Sequence, residues 1–342
     1  MPKITVVITS YNLELFIEHC INGLISQTFQ DFNILIIDDC STDGTVDIVQ
    51  HNTKRFPDKI SAILLDKNLG NPARTRNVAL DSGKIDGEYV IFLDGDDTIE
   101  PDYLETLYDL VLETDSDISI CAYKSVEFGT GHLLGIGMQG YPNIFKLPPK
   151  DDILAFINTS LWNKLIRKSI INNIRLPDFR VCEDGCFLLM LYNNCKQITF
   201  TDKVLVSYLQ HSNSIMSTTR EEDVYALAAE IKKLYDESGS KIYKDTLGLF
   251  AFIHVGLSFT IRIYENPNIN ISKHLKWIRN YFIECFDFFN NNNFTKFTSL
   301  KHRGIRGYAL WVCLILYKLR LFRVFLITYG IYKKFSKMSV KF

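Results

Sequence analysis

The chain has 342 residues, of which 47% are hydrophobic, so it can form a large buried core and is not a disordered protein. The formal net charge is only −1, but the last 55 residues hold 11 of the 38 basic side chains and no acidic one. An acidic body with a basic tail predicts that the tail faces an anionic surface. We expect no nucleic-acid partner.

The eight cysteines show no paired metal spacing, which predicts reduced thiols in a cytosolic protein. The N-terminus leads directly into a strand pattern and has no signal-peptide pattern. Both observations predict that the N-terminal part is cytoplasmic.

Strand and helix patterns alternate five times within about 120 residues. Short β-branched runs without alternation are typical of parallel strands that are buried on both faces. The predicted strands are Ile4–Thr9, Phe32–Ile37, Ile60–Leu65, Tyr89–Leu93 and Ile118–Ala122. This order predicts an α/β fold in which an open, mostly parallel sheet has helices on both faces.

Polar residues follow these strands where each one ends. In an open parallel sheet such ends meet at one edge, where ligands bind. The residues concerned are Thr9, Tyr11, Asp38, Asp39, Asn68, Arg74, Arg76, Asp94 and Asp96. Closely packed carboxylates suit Mg²⁺ or Mn²⁺ with a phosphorylated ligand. Neither a dinucleotide-binding glycine turn nor a P-loop is present, which argues against those two enzyme classes.

After the fifth predicted strand, the sequence predicts a loop region, a further strand at Lys203–Tyr208 and mainly helices. Residues 129–149 are interrupted by Gly and Pro and predict a loop region over the sheet edge. A later helix carries Glu183 and Asp184 in its first turn and is apolar after them. The sequence thus predicts a sheet domain at 1–215, a helical region at 216–295 and a basic amphipathic tail at 296–342.

The tail combines aromatic and aliphatic residues with basic ones. Lys318, Arg320 and Arg323 lie in the middle of its apolar stretch, so a transmembrane helix would bury charge at high cost. A helix that lies in the membrane interface, with basic side chains near anionic headgroups, fits the pattern better. The alternative is an ordinary amphipathic helix that packs on the body of the protein.

Six segments of the chain resemble the inverting glycosyltransferases of family 2, which have the GT-A fold. The resemblance covers about residues 1–215, and the six segments occur in the order found in that family. They are Val6–Asn12, Ile37–Thr45, Arg74–Asn77, Phe92–Asp97, Trp162–Leu165 and the pair Glu183–Asp184.

The resemblance implies a role for each matching residue. Thr9, Tyr11 and Asp39 would line the base pocket, Asn68 and Arg76 would help to hold the nucleotide, and Asp94 would contact the ribose. Asp96 would bind the metal, Mn²⁺ or Mg²⁺, and Asp184 would be the catalytic base, with Glu183 as its companion. His211 is either a metal ligand or a surface turn residue, and Trp162 and Lys164 either face the acceptor or support the site.

The implied activity is metal-dependent, inverting transfer of a sugar from a UDP-sugar to a glycan or lipid-linked oligosaccharide of a bacterial surface polysaccharide. We expect a peripheral protein at the inner face of the cell membrane, and the sequence leaves its oligomeric state open. Two alternatives are a nucleotidyltransferase that forms sugar nucleotides and a non-catalytic, membrane-associated sugar-nucleotide-binding protein. The first normally has a glycine-rich loop after its first strand, which Ser10–Asn12 does not provide.

Overall fold

A computed structural model of the chain describes residues 1–148, 152–210, 219–266, 269–286 and 288–336. The chain divides into two compact units. One comprises Met1–Leu147 and Asn158–Ser217, and the other comprises Pro148–Ile157 and Thr218–Phe342. The sequence did not indicate that Pro148–Ile157 belongs to the second unit. The predicted division of the helical part at residue 296 stays a prediction.

The first unit is built on a sheet that has ten strands within the described residues. The strands are β1 (Ile4–Ser10), β2 (Phe32–Asp38), β3 (Ile60–Leu64), β4 (Tyr89–Asp94), β5 (Thr98–Ile99), β6 (Ile118–Glu127), β7 (Leu133–Gly137), β8 (Ile144–Lys146), β9 (Lys164–Arg167) and β10 (Gln197–Gln210). Their main order is β3-β2-β1-β4-β9-β6-β10-β5, with β7 on β6 and β8 on β10.

Most of the long strands are parallel, so the predicted mostly parallel α/β sheet is confirmed. Strands β3, β2, β1 and β4 form one parallel block, and β10 is parallel to β6. Strand β9 lies between β4 and β6 and is antiparallel to both. The prediction of a loop region at 129–149 was wrong in part, because β7 and β8 lie there. These strands are short and pair through backbone bonds at the sheet's margin, so their side chains show no buried pattern.

The helices of the first unit pack on this sheet. They are α1 (Ile17–Ile25), α2 (Thr45–Arg55), α3 (Pro72–Asp81), α4 (Tyr103–Thr114), α5 (Lys168–Ile171) and α6 (Glu183–Tyr192). Helix α1 buries Ile17, Cys20, Ile21 and Leu24, the spacing of one helical face. Helix α3 starts at Pro72, and the side chain of Asn71 accepts from the N–H of Ala73 at 2.8 Å, a regular N-terminal cap.

The register of the central strands brings their polar ends together. Strand β1 lies between β2 and β4, with Ser10 opposite Asp38 and Thr9 opposite Asp94. The chain order reverses beside β1, and the crevice at such a reversal is where open α/β sheets bind ligands. The fold therefore places the carboxyl ends of β1, β2 and β4 around one crevice.

The second unit is helical in its described part. Its elements are a 3₁₀ turn (Ile153–Ala155), α7 (Glu221–Glu237), α8 (Lys241–Ala251), a π-helix (Phe252–Phe259), α9 (Thr260–Tyr264), α10 (Ile271–Phe286), α11 (Phe288–Asn291), a 3₁₀ turn (Asn293–Thr295), α12 (Phe297–Leu300), a 3₁₀ turn (Lys301–Arg303), α13 (Gly304–Lys318) and α14 (Phe322–Ser336). A buried ion pair joins its two sequence segments, since Arg303 Nη2 donates to Asp152 Oδ1 at 2.5 Å.

One continuous helical stretch, Lys241–Tyr264, is long and apolar enough to cross a membrane by length and composition. However, 78% of its most apolar window is buried inside the protein, as in the core helix of a globular unit. The apolar stretch of the basic tail, which the sequence predicts as one helix, contains two helices, α13 and α14. Arg320 between them has a φ of 63°, a left-handed conformation that ends the first helix.

Candidate active site

The turn after β4 carries three carboxylates within four residues, those of Asp94, Asp96 and Asp97. Gly95 leaves little room for a larger residue between them, because a Cβ at this position would lie 2.9 Å from the terminal side-chain carbons of Leu13 and Ile17. Asp97 is only 2% exposed, and within the described part of the chain its carboxylate makes no hydrogen bond of ordinary geometry. Burial and the charges of Asp94 and Asp96 raise the pKa of Asp97 well above its usual range. The carboxylates of the turn therefore repel one another, and a bound cation would relieve this repulsion.

Arg76 connects this acidic turn to the start of helix α6. Its Nη2 donates to Asp94 Oδ1 at 2.6 Å, and its Nη1 donates to Asp184 Oδ1 at 2.8 Å. A longer bond of 3.4 Å joins Nη1 to Glu183 Oε1. Arg76 is only 4% exposed, so these charge-assisted bonds act where water screens them little. One guanidinium thus holds three acids from two distant segments in one place.

Because one buried arginine faces three carboxylates, the pKa values of the arginine and of the acids at the start of α6 are shifted. Burial raises the pKa of Asp184 to about 6, although the charge of Arg76 opposes the shift. Burial and the charge of Asp184 raise the pKa of Glu183 to about 8. Burial lowers the pKa of Arg76, but the three carboxylates more than reverse this effect, so Arg76 stays charged. At neutral pH the Glu183–Asp184 pair therefore carries about one negative charge, with Asp184 the more ionised member.

The backbone before α6 adopts an unusual conformation. Cys182, the residue that precedes the helix, has a φ of 61°, which is uncommon for a residue with a side chain. This turn directs the next two residues, Glu183 and Asp184, into the first turn of the helix, where the helix dipole stabilises negative charge. Local strain of this kind is common at functional sites.

A second polar group lies where β2 ends. Asp39 is buried, and its Oδ1 accepts from the N–H of Leu69 at 2.7 Å. The Asn68 side chain donates to the backbone oxygen of Asp39 at 3.0 Å. Burial raises the pKa of Asp39, although the amides of Leu69 and Gly70 oppose it. The structure thus brings Asp39 and Asn68 into direct contact.

Helix α3 also holds the segment that leads into α6. Arg74 donates through Nε and Nη2 to the two carboxylate oxygens of Asp178, at 2.6 and 2.8 Å. Asn71 donates to the same carboxylate at 3.2 Å, and Asn77 donates to the backbone oxygen of Leu176 at 2.8 Å. Positions 71, 74 and 77 are three apart and share one helix face. Sequence reasoning missed Asp178, because a single aspartate in a loop belongs to no pattern.

Trp162 and Lys164 lie inside the unit. The Trp162 ring stacks on Tyr208 with centroids 5.4 Å apart and meets Tyr123 edge-on at 4.8 Å. Lys164, the first residue of β9, is fully buried. Their burial favours the supporting role that the sequence allowed over direct contact with an acceptor.

Of the four remaining predicted site residues, three lie in the described part of the chain. Thr9 lies beside Asp94 in the sheet, and Tyr11 is exposed just after β1. Asp96 is half-buried in the acidic turn. His211 lies outside the described residues, so its contact with a metal stays a prediction.

The donor set of the acidic turn fits a divalent cation that is shared with a phosphorylated ligand. Across the described ranges, no group of three or more His, Cys, Asp or Glu side chains forms a metal site made by protein alone. Mg²⁺ often needs no such site, since one or two carboxylates and the phosphates of a substrate commonly complete its coordination. Asp96 is the residue that could hold this ion, because its half-buried carboxylate lies in the acidic turn between Asp94 and Asp97.

A family model described as "Glycosyl transferase family 2" matches residues 5–189 of this chain. The chain is 29% identical over 235 residues to "Glycosyltransferase GlyA" of Streptococcus pneumoniae, which covers 66% of the chain and 33% of that protein. It is 28% identical over 287 residues to "Poly(ribitol-phosphate) beta-N-acetylglucosaminyltransferase TarS" of Staphylococcus aureus, which covers 81% of the chain and 48% of that protein. The chain thus spans a third to a half of the length of these two relatives.

Solved structures confirm the fold. The crystal structure of S. aureus TarS 1-349 in complex with UDP-GlcNAc matches with a TM-score of 0.70 at 24% identity, over 93% of this chain and 92% of that one. The mannosyltransferase PcManGT from Pyrobaculum calidifontis, in complex with GDP-Man and Mn²⁺, matches with a TM-score of 0.54 at 14% identity, over 98% of this chain and 88% of that one. The sheet and the helical region that follows it both lie within these matches.

Proposed function

The chain belongs to glycosyl transferase family 2, and on this premise we propose that it transfers a sugar from a UDP-sugar to a hydroxyl group of a glycan or lipid-linked oligosaccharide. The transferred unit would be a hexose or an N-acetylhexosamine, and the product would be a bacterial cell-surface polysaccharide. The printed name of one relative, a poly(ribitol-phosphate) N-acetylglucosaminyltransferase, supports this substrate class.

The observation that carries the proposal is the double contact of Arg76 with Asp94 and Asp184. Asp94 is the last residue of strand β4 at the crevice, and Asp184 lies in the first turn of a helix from a distant part of the chain. An ion pair that only stabilised the fold would need one acid beside Arg76. Three acids around one buried arginine, beside an acidic turn, suit a site that assembles donor and acceptor groups around a reacting bond.

The donor would bind along the ends of β1, β2 and β4. Asp39 would accept from the uracil N–H, with Thr9 and Tyr11 beside the base and Asn68 on the nucleotide. Support comes from the contact between Asn68 and Asp39, which fixes this part of the pocket.

The ribose and diphosphate would lie towards the acidic turn. Asp94 would accept from a ribose hydroxyl, and Asp96 would hold Mn²⁺ or Mg²⁺. When bound, this ion would neutralise charge on the diphosphate leaving group. Arg76 supplies a second, permanent positive charge at the same edge, because its surroundings keep it protonated.

Asp184 would act as the general base. A pKa of about 6 leaves its carboxylate mostly ionised at neutral pH and basic enough to take the proton of an attacking hydroxyl. If this hydroxyl attacks the anomeric carbon opposite the leaving diphosphate, one displacement inverts the configuration without a covalent intermediate. Glu183 would keep its proton at neutral pH and support Arg76.

Calorimetry and product analysis together test this function. We expect UDP to bind in the presence of Mn²⁺ and to bind more weakly after chelation, with GDP as the matched control nucleotide. A panel of UDP-sugars should then identify a donor that is hydrolysed slowly and that protects the protein from thermal unfolding. If no nucleotide binds under any of these conditions, the proposed activity is wrong.

We also propose that the basic tail places the protein at the inner face of the cell membrane. On α13, Ile305, Tyr308 and Val312 are exposed apolar residues at helical spacing. On α14, Val324 and Ile327 continue this type of surface. Arg306, Lys318, Arg320 and Arg323 are interspersed among them. Exposed apolar stripes with basic neighbours are typical of helices that lie on anionic membranes.

A further inference from the structure

Lys164 is surrounded by oxygen atoms of a single loop. Its ammonium donates to Asn158 O at 3.0 Å, Asn158 Oδ1 at 2.8 Å, Ser160 O at 2.6 Å and Asn163 Oδ1 at 2.9 Å. An ammonium group has three N–H bonds, so these four acceptors saturate it. All of the acceptors come from residues 158–163, which we call the lysine loop. The loop is therefore folded around the side chain of the residue that follows it.

The charge of Lys164 is buried without an ionic partner. The lysine is fully buried, and within the described residues its ammonium bonds to neutral oxygens and to no carboxylate. Removing an ammonium from water costs several kcal/mol by general estimates, whereas an apolar side chain of similar length would fill the same space without this cost. The presence of a lysine at this buried position therefore needs an explanation beyond packing.

The lysine loop contacts the backbone that carries the proposed base. The Thr159 hydroxyl lies close enough to the Cys182 thiol to oppose the rise in its pKa that burial causes, and Cys182 is the residue with left-handed φ immediately before Glu183 and Asp184. A displacement of the loop would therefore pass directly to the first turn of α6.

Lys164 also acts on Asp184 electrostatically. The charged and titratable groups that influence Asp184 are Arg76, Asp94, Glu183 and Lys164, and those that influence Lys164 are Cys121 and Asp184. Burial lowers the pKa of Lys164 to about 7, so its charge is present at the lower pH at which Asp184 titrates. That charge lowers the pKa of Asp184 and so favours the ionised base.

We propose that Lys164 is a positioning residue for the transfer reaction: its ammonium holds the lysine loop, and with it Thr159, against Cys182, the residue that precedes Glu183 and Asp184. This inference rests on the proposed function, because it assigns Asp184 as the base. It gives the Trp162–Leu165 segment a physical role that does not require contact with donor or acceptor.

Replacement of Lys164 by methionine tests the inference, since Lys164→Met keeps the length of the side chain and removes the charge. We expect kcat to fall about 10- to 100-fold, the loss typical of a small displacement of reacting groups. KM for the donor and UDP affinity should change little, because the lysine touches neither. The acid limb of the pH profile of kcat should move to higher pH, since Asp184 loses a neighbouring positive charge.

Lys168→Met is the matched control. Lys168 lies four positions later, is exposed, and bonds through its ammonium only to the backbone oxygen of Ile85 among the described residues. Its kcat and its pH profile should equal those of the wild type. If Lys164→Met does not fold, Thr159→Val keeps the lysine and removes the hydroxyl that lies beside Cys182, and it should lower kcat without affecting UDP affinity.

The outcomes separate the inference from the function on which it rests. A wild-type protein without any transfer activity would overturn the proposed function. An active wild type together with a Lys164→Met variant of unchanged kcat and pH profile would overturn the positioning role alone. A Thr159→Val variant whose kcat equals that of the wild type would also overturn the positioning role alone.

Discussion

Arg76 Nη1 lies 2.8 Å from Asp184 Oδ1, although the two residues are 108 positions apart in the chain. The other end of the same guanidinium lies 2.6 Å from Asp94 Oδ1. Through this one side chain, the acidic turn after β4 and the proposed base at the start of α6 keep a fixed separation.

Replacement of Arg76 by glutamine should destabilise the protein and abolish UDP binding. The variant leaves buried acids without their cation, and breaking a buried pair in this way typically costs about 3–5 kcal/mol. Arg74→Gln is the control, because Arg74 and Asp178 are 51% and 57% exposed and such surface pairs contribute at most about 1 kcal/mol. Urea unfolding of both variants measures the difference. Equal losses of stability would mean that Arg76 is not the central cation.

Replacement of Asp184 by asparagine should leave UDP binding nearly intact and remove transfer. Asparagine keeps the shape and can accept from Arg76, but it cannot take a proton, and loss of a general base costs about 10²- to 10⁴-fold in rate. Wild-type activity should fall as pH decreases through about 6, where Asp184 gains a proton. Calorimetry with UDP and a transfer assay separate the two effects. Loss of UDP affinity in this variant would indicate a binding role instead.

Asp96→Asn should remove the metal dependence of UDP binding. The change removes a negative oxygen ligand from the half-buried residue of the acidic turn and alters its volume little. Asp102→Asn is the control, since Asp102 lies six positions later, and its carboxylate bonds to Lys203 at 3.3 Å. Titration of UDP with and without Mn²⁺ measures the effect. Metal-dependent binding at wild-type strength in Asp96→Asn would assign the ion to another residue.

The fold could be predicted from the sequence because its central strands are apolar on both faces and each ends in polar residues. Periodicity located the strands β1, β2 and β4, and the resemblance to family 2 named the acids that follow them. Periodicity could not separate Asp38 from Asp39, which are adjacent acids after the same strand. The structure separates them: Asp38 is fully buried and accepts from the hydroxyls of Ser10 and Ser41 at 2.9 and 2.7 Å, whereas Asp39 bonds to the Leu69 loop.

The parts that the sequence missed depend on contacts between distant segments. Arg76 was expected to hold the nucleotide, but its contacts with Glu183 and Asp184 join residues over 100 positions apart. Asp178 had no motif, and its role appears only when helix α3 lies beside it. The saturated ammonium of Lys164 is likewise invisible in a sequence, because a lysine in an apolar segment gives no sign of what surrounds it.

Replacement of Glu183 by glutamine should change how stability depends on pH. The pKa of Glu183 is raised to about 8, so between its ordinary value and pH 8 the folded protein keeps a proton that the unfolded chain releases. Stability from this group is therefore lost as pH rises through this window. In Glu183→Gln that loss should be absent, and the difference in Tm between pH 5 and pH 8 should become smaller. An unchanged difference would mean that Glu183 is ionised in the folded protein.

The last prediction concerns the tail, where apolar and basic residues should contribute separately to membrane binding. A triple variant, Arg306→Gln, Arg320→Gln and Arg323→Gln, should weaken binding to anionic vesicles about 100-fold, since each basic residue near a charged surface contributes about 1 kcal/mol. Binding of the wild type should fall with added salt and should be weak on neutral vesicles.

The contribution of apolar residues to membrane binding is tested at Ile305 and Val312. Both are exposed on one face of α13, and Ile305 is 88% exposed. Replacing both by serine should also release the protein from vesicles, because serine contributes no apolar surface to the membrane interface. The matched control replaces Leu133 and Ile136 by serine, since these residues of β7 are also exposed and apolar but lie in the first unit. Vesicle sedimentation at fixed lipid concentration compares the variants, and UDP binding should be equal in all of them. If the two control substitutions release the protein while the α13 substitutions do not, the membrane contact lies on the sheet unit and the tail has another role.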